Sequence, residues 1–121
     1  MTNSIIVFLA GGCGSVLRYL VGQAVPSALF PWATLGVNAL GSFAIGLFGA
    51  LAARFGWSEG VRLVLTVGLC GGFTTFSTFS REALALASSG RWCAFSLYAA
   101  GSVILGIAAA ALGFVCARCS G

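Results

Sequence analysis

Chemistry-bearing side chains are concentrated in one stretch. Between Phe73 and Ser80, five hydroxyls (Thr74, Thr75, Ser77, Thr78 and Ser80) fall within seven residues and interleave with Phe73, Phe76 and Phe79. On a helix the three phenylalanines make one stripe. Such a stripe in an apolar helix is ordinarily packing, but lipid does not explain the hydroxyls. An aromatic ring carries a positive edge and a hydroxyl can donate, so the block offers an anion partial positive charge without a fixed cation. Just upstream, Gly71 and Gly72 followed by Thr74 and Thr75 weaken a helix. Two readings stay open. One is an interrupted helix, with a break near residues 71–75, whose freed backbone groups face ions, water or protein. The other is a continuous helix whose hydroxyls bond back to their own carbonyls.

Other polar residues are sparse. Asn38 sits between Val37 and Ala39, where an amide must bond a neighbouring helix or offer its NH₂ to an ion. Tyr98 and Ser102 are one helical turn apart and share a face. Arg18 lies deep enough to function yet near enough to a helix end to snorkel. Glu82 is the one acid placed within an apolar run, and Arg81 beside it in sequence points elsewhere on a helix. With no histidine, no lysine and no pair of neighbouring carboxylates, general acid–base and nucleophilic catalysis lack their usual parts, and no enzyme activity is expected.

The elements that position these residues follow from composition. The 121 residues are 60% hydrophobic and 7% charged, against roughly 25% charged in a soluble domain. Six arginines and two glutamates could not cover a water-facing surface, so lipid is the main solvent. The net charge of +4 is scattered among apolar runs and does not point to nucleic acid. Four apolar stretches, each near the ~20 residues a spanning helix needs, are read at about 4–25, 32–53, 61–87 and 92–116. They form a single all-α transmembrane domain over 1–121. Pro26 and Pro31 bracket the first turn, and Trp32, Trp57 and Trp92 fall at interfaces, as aromatic belts do. The N-terminus lacks the basic start and short apolar core of a cleavable signal. Ala10-Gly11-Gly12-Cys13 is loosely similar to a lipoprotein cleavage site, yet the product would still be membrane-embedded, so an uncleaved first span is expected.

Charge placement and small residues speak to assembly. Arg54, Arg62 and Arg118 lie towards one side, and Arg18, Arg81 and Arg91 towards the other, so the positive-inside rule selects no orientation. Dual insertion with antiparallel pairing explains the split, as does chance among six charges. The pairs Gly11/Ser15, Ser42/Gly46, Gly68/Gly72 and Ser102/Gly106 follow a small-x-x-x-small pattern that lets helix backbones approach. Five cysteines, including Cys116 and Cys119 at C-x-x-C spacing, lack the companion ligands of a structural zinc and read as free thiols.

These motifs together resemble the Fluc (CrcB) family of fluoride channels over nearly the whole chain. Gly11-Gly12-Cys13-Gly14-Ser15-Val16-Leu17-Arg18-Tyr19 is similar to its first-helix motif, and Trp32 through Phe43, containing Gly36-Val37-Asn38, to its second. Gly71-Gly72-Phe73-Thr74-Thr75-Phe76-Ser77-Thr78-Phe79-Ser80 resembles its long third-helix signature. Ala33 stands where the family more often has Gly, and Ser15 where Ala is usual. Gly106 stands where some relatives carry another hydroxyl, which shortens the polar track here. The resemblance implies an antiparallel, dual-topology homodimer with two pores in the cell inner (plasma) membrane. It implies fluoride as the transported ion, a path lined by Phe76 and Phe79, Asn38 as a donor, and Tyr98 and Ser102 on the polar track. The hydroxyls of Thr75, Ser77 and Thr78 complete the candidate path, and Arg18 would make its vestibule positive. It further implies a structural Na⁺ at the dimer interface, held by the backbone carbonyls of Gly71 and Thr74. The implied role is passive export of fluoride that enters as neutral HF and dissociates inside.

The competing reading is a proton-coupled exporter of the small multidrug resistance type, which is also short, four-spanning and able to insert both ways. It would need a membrane-embedded carboxylate on its first span, and that span has no acid. A non-transporting assembly subunit would explain the glycines but not the hydroxyl–phenylalanine block. Fluoride is small and strongly hydrated, so a pore must replace its water with closely spaced donors, which hydroxyls, an amide and ring edges supply.

Overall fold

Apolar sequence with few internal turn signals folds into helices, because in lipid every backbone group must find its partner within the chain. A computed structural model describes residues 2–25 and 30–119. Helix α1 (Thr2–Ala24) and helix α2 (Trp32–Phe55) are followed by a composite third span. That span begins as α3 (Glu59–Arg62), widens into a π-helical stretch over Leu63–Cys70, and returns to α-geometry in α4 (Gly71–Phe73). It breaks, and resumes as α5 (Phe76–Ser88); α6 (Trp92–Cys119) closes the chain. Among the described residues, four segments (Thr2–Ala24, Trp32–Phe55, Glu59–Ser88 and Trp92–Cys119) are long and apolar enough to cross a membrane. The protein is therefore an all-helical, multi-pass membrane protein, and no strand occurs among the described residues. Part of the turn read between Pro26 and Pro31, residues 26–29, lies outside the described residues.

Element ends follow local chemistry. Helix α2 stops at Gly56, whose positive φ of 63° lets its N–H turn back to the Ala52 carbonyl. Ser58 caps α3 by accepting from the Val61 amide at 3.4 Å. Gly90, at φ 77°, makes the turn into α6. At the far end of the bundle, Arg54 on α2 donates to the carbonyls of Ala117 and Arg118, both at 2.9 Å. Both carbonyls belong to the last turn of α6, so this arginine ties the two helix ends together.

Two glycine seams hold the helices together. A Cβ at Gly72 would run into the Gly11 carbonyl, one at Gly14 into the Leu69 carbonyl, and one at Gly68 would meet the Ala10 methyl at 2.5 Å. Thus α1 lies against the first half of the third span at backbone contact. In the same way a Cβ at Gly46 would collide with the Ala110 carbonyl and one at Gly113 with the Phe43 carbonyl, which seats α2 on α6. Close approach of this kind supplies dispersion contacts that lipid alone does not. Little else is buried. Tyr98 is the largest fully buried side chain, packed with Ala83 and Leu86 beneath Phe30, Phe79 and Phe95. Phe8, Leu9, Ile104 and Ile107 stand outward and more than half exposed, the arrangement of a chain solvated by lipid or by another protein surface.

Candidate functional site

The third span breaks at its threonines, not at its glycines. Gly71 keeps helical backbone (φ −62°, ψ −40°), whereas Thr74 (−85°, 159°) and Thr75 (−151°, 127°) are extended. The break thus falls within the expected 71–75 stretch, at its threonine end. Gly72 is there for packing against α1, and Gly71 faces outward with only the Thr66 carbonyl, 3.9 Å from a notional Cβ, near it. The expected single stripe of Phe73, Phe76 and Phe79 is likewise divided. Phe73 belongs to α4 and packs beside Gly41 on α2, while Phe76 and Phe79 share α5 with ring centroids 5.7 Å apart.

Each side of the break is held by a different helix. Asn38 of α2 donates from Nδ2 to the Thr75 carbonyl at 3.1 Å and accepts from the Thr75 amide at 2.9 Å. The amide orientation follows from the chemistry, since a backbone N–H can only donate. On the other side, Ser15 and Arg18 of α1 reach the Gly72 carbonyl at 3.4 and 3.5 Å, long bonds that still cover the end of α4. The Thr75 hydroxyl restarts the helix as an N-cap, accepting from the Thr78 amide at 3.2 Å. Thr74 donates to the Cys70 carbonyl from both its amide and its hydroxyl, each at 3.0 Å.

The break takes the helical amides away from four carbonyls, those of Gly71, Gly72, Phe73 and Thr74, and Ser15 and Arg18 cover that of Gly72. In an unbroken helix the Thr75 amide would close on the Gly71 carbonyl and the Thr78 amide on that of Thr74. The first amide is taken by Asn38 and the second by the Thr75 hydroxyl. Gly71 and Thr74 are therefore left with neutral oxygens at the break. No group of three or more His, Cys, Asp or Glu able to hold a metal occurs among the described residues, so a cation at this point would rest on neutral carbonyl oxygens, ligands that hard cations accept.

Two cavities meet at Thr75. An open cleft of ≈ 350 Å³ is lined by Asn38, Ser42, Thr74, Thr75, Phe76, Phe79 and Ser102, together with Gly41, Ile45, Cys70, Val103 and Gly106. The Ser102 hydroxyl is buried there without a hydrogen-bond partner, a cost that a bound polar species would remove. The second cavity, ≈ 360 Å³, is lined by Arg18, Tyr19, Thr34, Thr75, Thr78, Arg81 and Glu82 among others. Two guanidiniums and one carboxylate give it a positive balance. Arg18 thus serves both as a lining cation and as a partner of the Gly72 carbonyl.

The other candidate residues are distributed unevenly. Thr78 faces the second cavity, and Ser77 stands exposed with its hydroxyl 3.4 Å from that of Thr75. Tyr98 is a turn from Ser102 but does not reach the cleft. Its hydroxyl donates to Glu82 Oε1 at 3.1 Å, and its ring lies 5.0 Å from that of Phe79. It backs the phenylalanine that does line the cleft. Sequence reasoning missed Gly41, where a Cβ would collide with the Thr74 methyl. The signal was available, since a glycine three residues after Asn38 sits on the same helix face. It also missed the role of Glu82 as the acceptor for Tyr98, a pairing between separate helices that no spacing announces.

The fold and this site define a small multi-pass membrane protein with a broken helix opening onto a largely apolar cleft into which Asn38, Ser102 and two phenylalanines are brought together. Residues 5–114 match the family described as CrcB-like protein, Camphor Resistance (CrcB), and the chain belongs to that family. Among its relatives, the fluoride-specific ion channel FluC of Phocaeicola vulgatus is 49% identical over 116 residues, covering 93% of this chain and 96% of the relative. The protein of the same name from Thermus thermophilus is 49% identical over 117 residues, covering 94% of each. That of Rhizobium johnstonii is 46% identical over 122 residues, covering 98% of each.

Proposed function

We propose that this protein is a fluoride channel giving passive export of the ion across the inner membrane of a bacterial cell. The observation that carries the reading is the cleft at the break, which Phe76, Phe79 and Ser102 line together, the Ser102 hydroxyl having no hydrogen-bond partner. A strongly hydrated anion needs donors in place of water, and this lining supplies a hydroxyl and ring edges with no lysine to hold the ion fast. The second cavity, with Arg18 and Arg81, would gather anions from solution before they pass Thr75. Full-length similarity to proteins named as fluoride-specific channels favours this reading over a proton-coupled exporter. So does the state of Glu82, which is engaged with Tyr98 and lies on α5, not on the first span.

The working unit in this reading is an antiparallel, dual-topology homodimer. Arginines group at the two ends of the bundle, Arg54 with Arg118 and Arg18 with Arg81, which fits a chain able to insert either way. Cleft and exposed Phe76 lie open along the side of one chain, and a second copy would wall them in. A structural Na⁺ at the interface would rest on the Gly71 and Thr74 carbonyls of both copies. When bound it supplies fixed positive charge at the break and ties the two chains together. The residues of the chain do the rest: Asn38 and Thr75 shape the break, and Phe76 and Phe79 present their edges.

Fluoride release from liposomes tests this. Purified protein reconstituted with internal potassium fluoride should release fluoride to a selective electrode only when a potassium ionophore balances the charge, and should release chloride far more slowly. Release that needs a proton gradient and no charge compensation would favour the exporter and overturn the channel. Loss of dimer or of flux when Na⁺ is replaced by a large organic cation is expected, and no change would refute the structural ion.

A further inference from the structure

Nothing in the local sequence forces the third span to open where it does. The glycines remain helical, and threonine disfavours a helix by only about 0.5–0.7 kcal/mol per residue, far less than unpaired backbone costs in a membrane. Something outside the segment must hold Thr74 and Thr75 extended. We propose that Asn38 is that residue: it is a positioning residue that keeps the helix break open by acting on the Thr75 backbone, and it thereby sets free the Gly71 carbonyl. The proposal rests on the channel reading for its consequence but not for its geometry.

Shape makes Asn38 fit for this. In extended backbone the N–H and C=O of a single residue point the same way, so a neighbouring strand can pair with both. Thr75, at φ −151° and ψ 127°, has that form. A carboxamide carries one acceptor and one donor in a plane, as a peptide does, and Asn38 meets both groups at 2.9 and 3.1 Å. It stands in for a strand. An independent feature of the same helix agrees: at Gly41, three residues on, the missing side chain leaves the space that the Thr74 methyl occupies. That face of α2 is shaped to receive an unwound segment.

The consequence reaches both ends of the site. If the Asn38 amide is removed, the Thr75 amide is returned to its helical acceptor, the Gly71 carbonyl. Each residue regained by the helix turns the downstream chain by about 100°, which swings Phe76 and Phe79 away from the cleft. A carbonyl offered to a cation and the ring edges offered to an anion are therefore set by one side chain that sits between them.

Two variants test it by a readout independent of fluoride. Asn38→Leu keeps the bulk and loses both bonds. Asn38→Asp keeps an acceptor for the Thr75 amide whether ionised or protonated, and the protonated acid also donates. With threonine labelled in carbon-13, the Cα and Cβ shifts of Thr74 and Thr75 in reconstituted protein report the backbone directly. The parent and the Asp variant should show extended shifts, and the Leu variant helical ones. The Na⁺ concentration that half-stabilises the dimer should rise about tenfold in the Leu variant, the effect of losing about one hydrogen bond, and far less in the Asp variant. Extended shifts in a folded Leu variant would overturn the proposal. Should the Leu variant fail to fold, the Asp variant decides: extended shifts uphold it, and helical shifts refute it.

Discussion

Gly71 and Gly72 are neighbours in sequence and both helical, yet the molecule uses them in opposite ways. Gly72 is pressed against the Gly11 carbonyl of α1, while Gly71 faces open space with a carbonyl that has lost its amide. Beyond them, Thr74 and Thr75 unwind under the hold of Asn38. The contrast separates two uses of a small-residue segment. One half of the span is sealed to its neighbour at backbone distance, and the other half is opened onto a cleft. The seal gives the opening a fixed frame, since α4 cannot slide on α1 while the chain beyond it turns outward.

The sharpest way to break the comparison is to add a side chain to each glycine. Gly72→Val should abolish the folded protein, because its Cβ meets backbone that cannot move aside and overpacking of this kind costs about 3 kcal/mol or more. Gly71→Ala should leave the chain folded and act instead on the dimer and its Na⁺ requirement. Size-exclusion chromatography of both variants in detergent checks this, and equal damage from the two would erase the distinction.

A smaller effect is expected within the hydroxyl run. Thr75→Val removes the cap on α5 and should lower stability by about 1 kcal/mol and slow fluoride flux several-fold. Ser77→Ala, at an exposed position, should change neither. Thermal unfolding and liposome flux on the pair show whether the run acts as a unit or through Thr75. Least of all is expected from Glu82→Gln. The amide oxygen still accepts from Tyr98, so flux should fall less than about threefold, the effect of weakening one charged hydrogen bond. Complete loss of transport in a folded variant, with flux that follows a proton gradient, would return the coupled exporter.

Much of the fold is legible in the sequence, for physical reasons that differ from element to element. The four spans come from runs of apolar residues long enough to cross lipid, and the glycine spacing announces seams that the close contacts at Gly72, Gly68 and Gly46 bear out. That the third span is interrupted near residues 71–75 is legible too, but not which of those residues leave the helix. Glycine weakens a helix without choosing its conformation, and the choice is made by Asn38, thirty-seven residues away. The π-helical stretch Leu63–Cys70 leaves no mark in the sequence, because it changes hydrogen-bond register without changing composition. Tyr98 and Ser102 share a face by spacing, yet the tyrosine is turned aside by its bond to Glu82, a contact set by tertiary packing.

The central claim is that fluoride passes the cleft beside the break by way of ring edges. Its most direct measurement is fluoride release from liposomes carrying Phe76→Ile or Phe79→Ile, with the dimer verified by chromatography. Isoleucine keeps apolar bulk and removes the positive edge, so each variant should conduct more slowly than the parent, by about tenfold if the edge is worth about 1.4 kcal/mol to the passing ion. Parent-like release from both would mean that the two rings are packing and that the ion travels elsewhere.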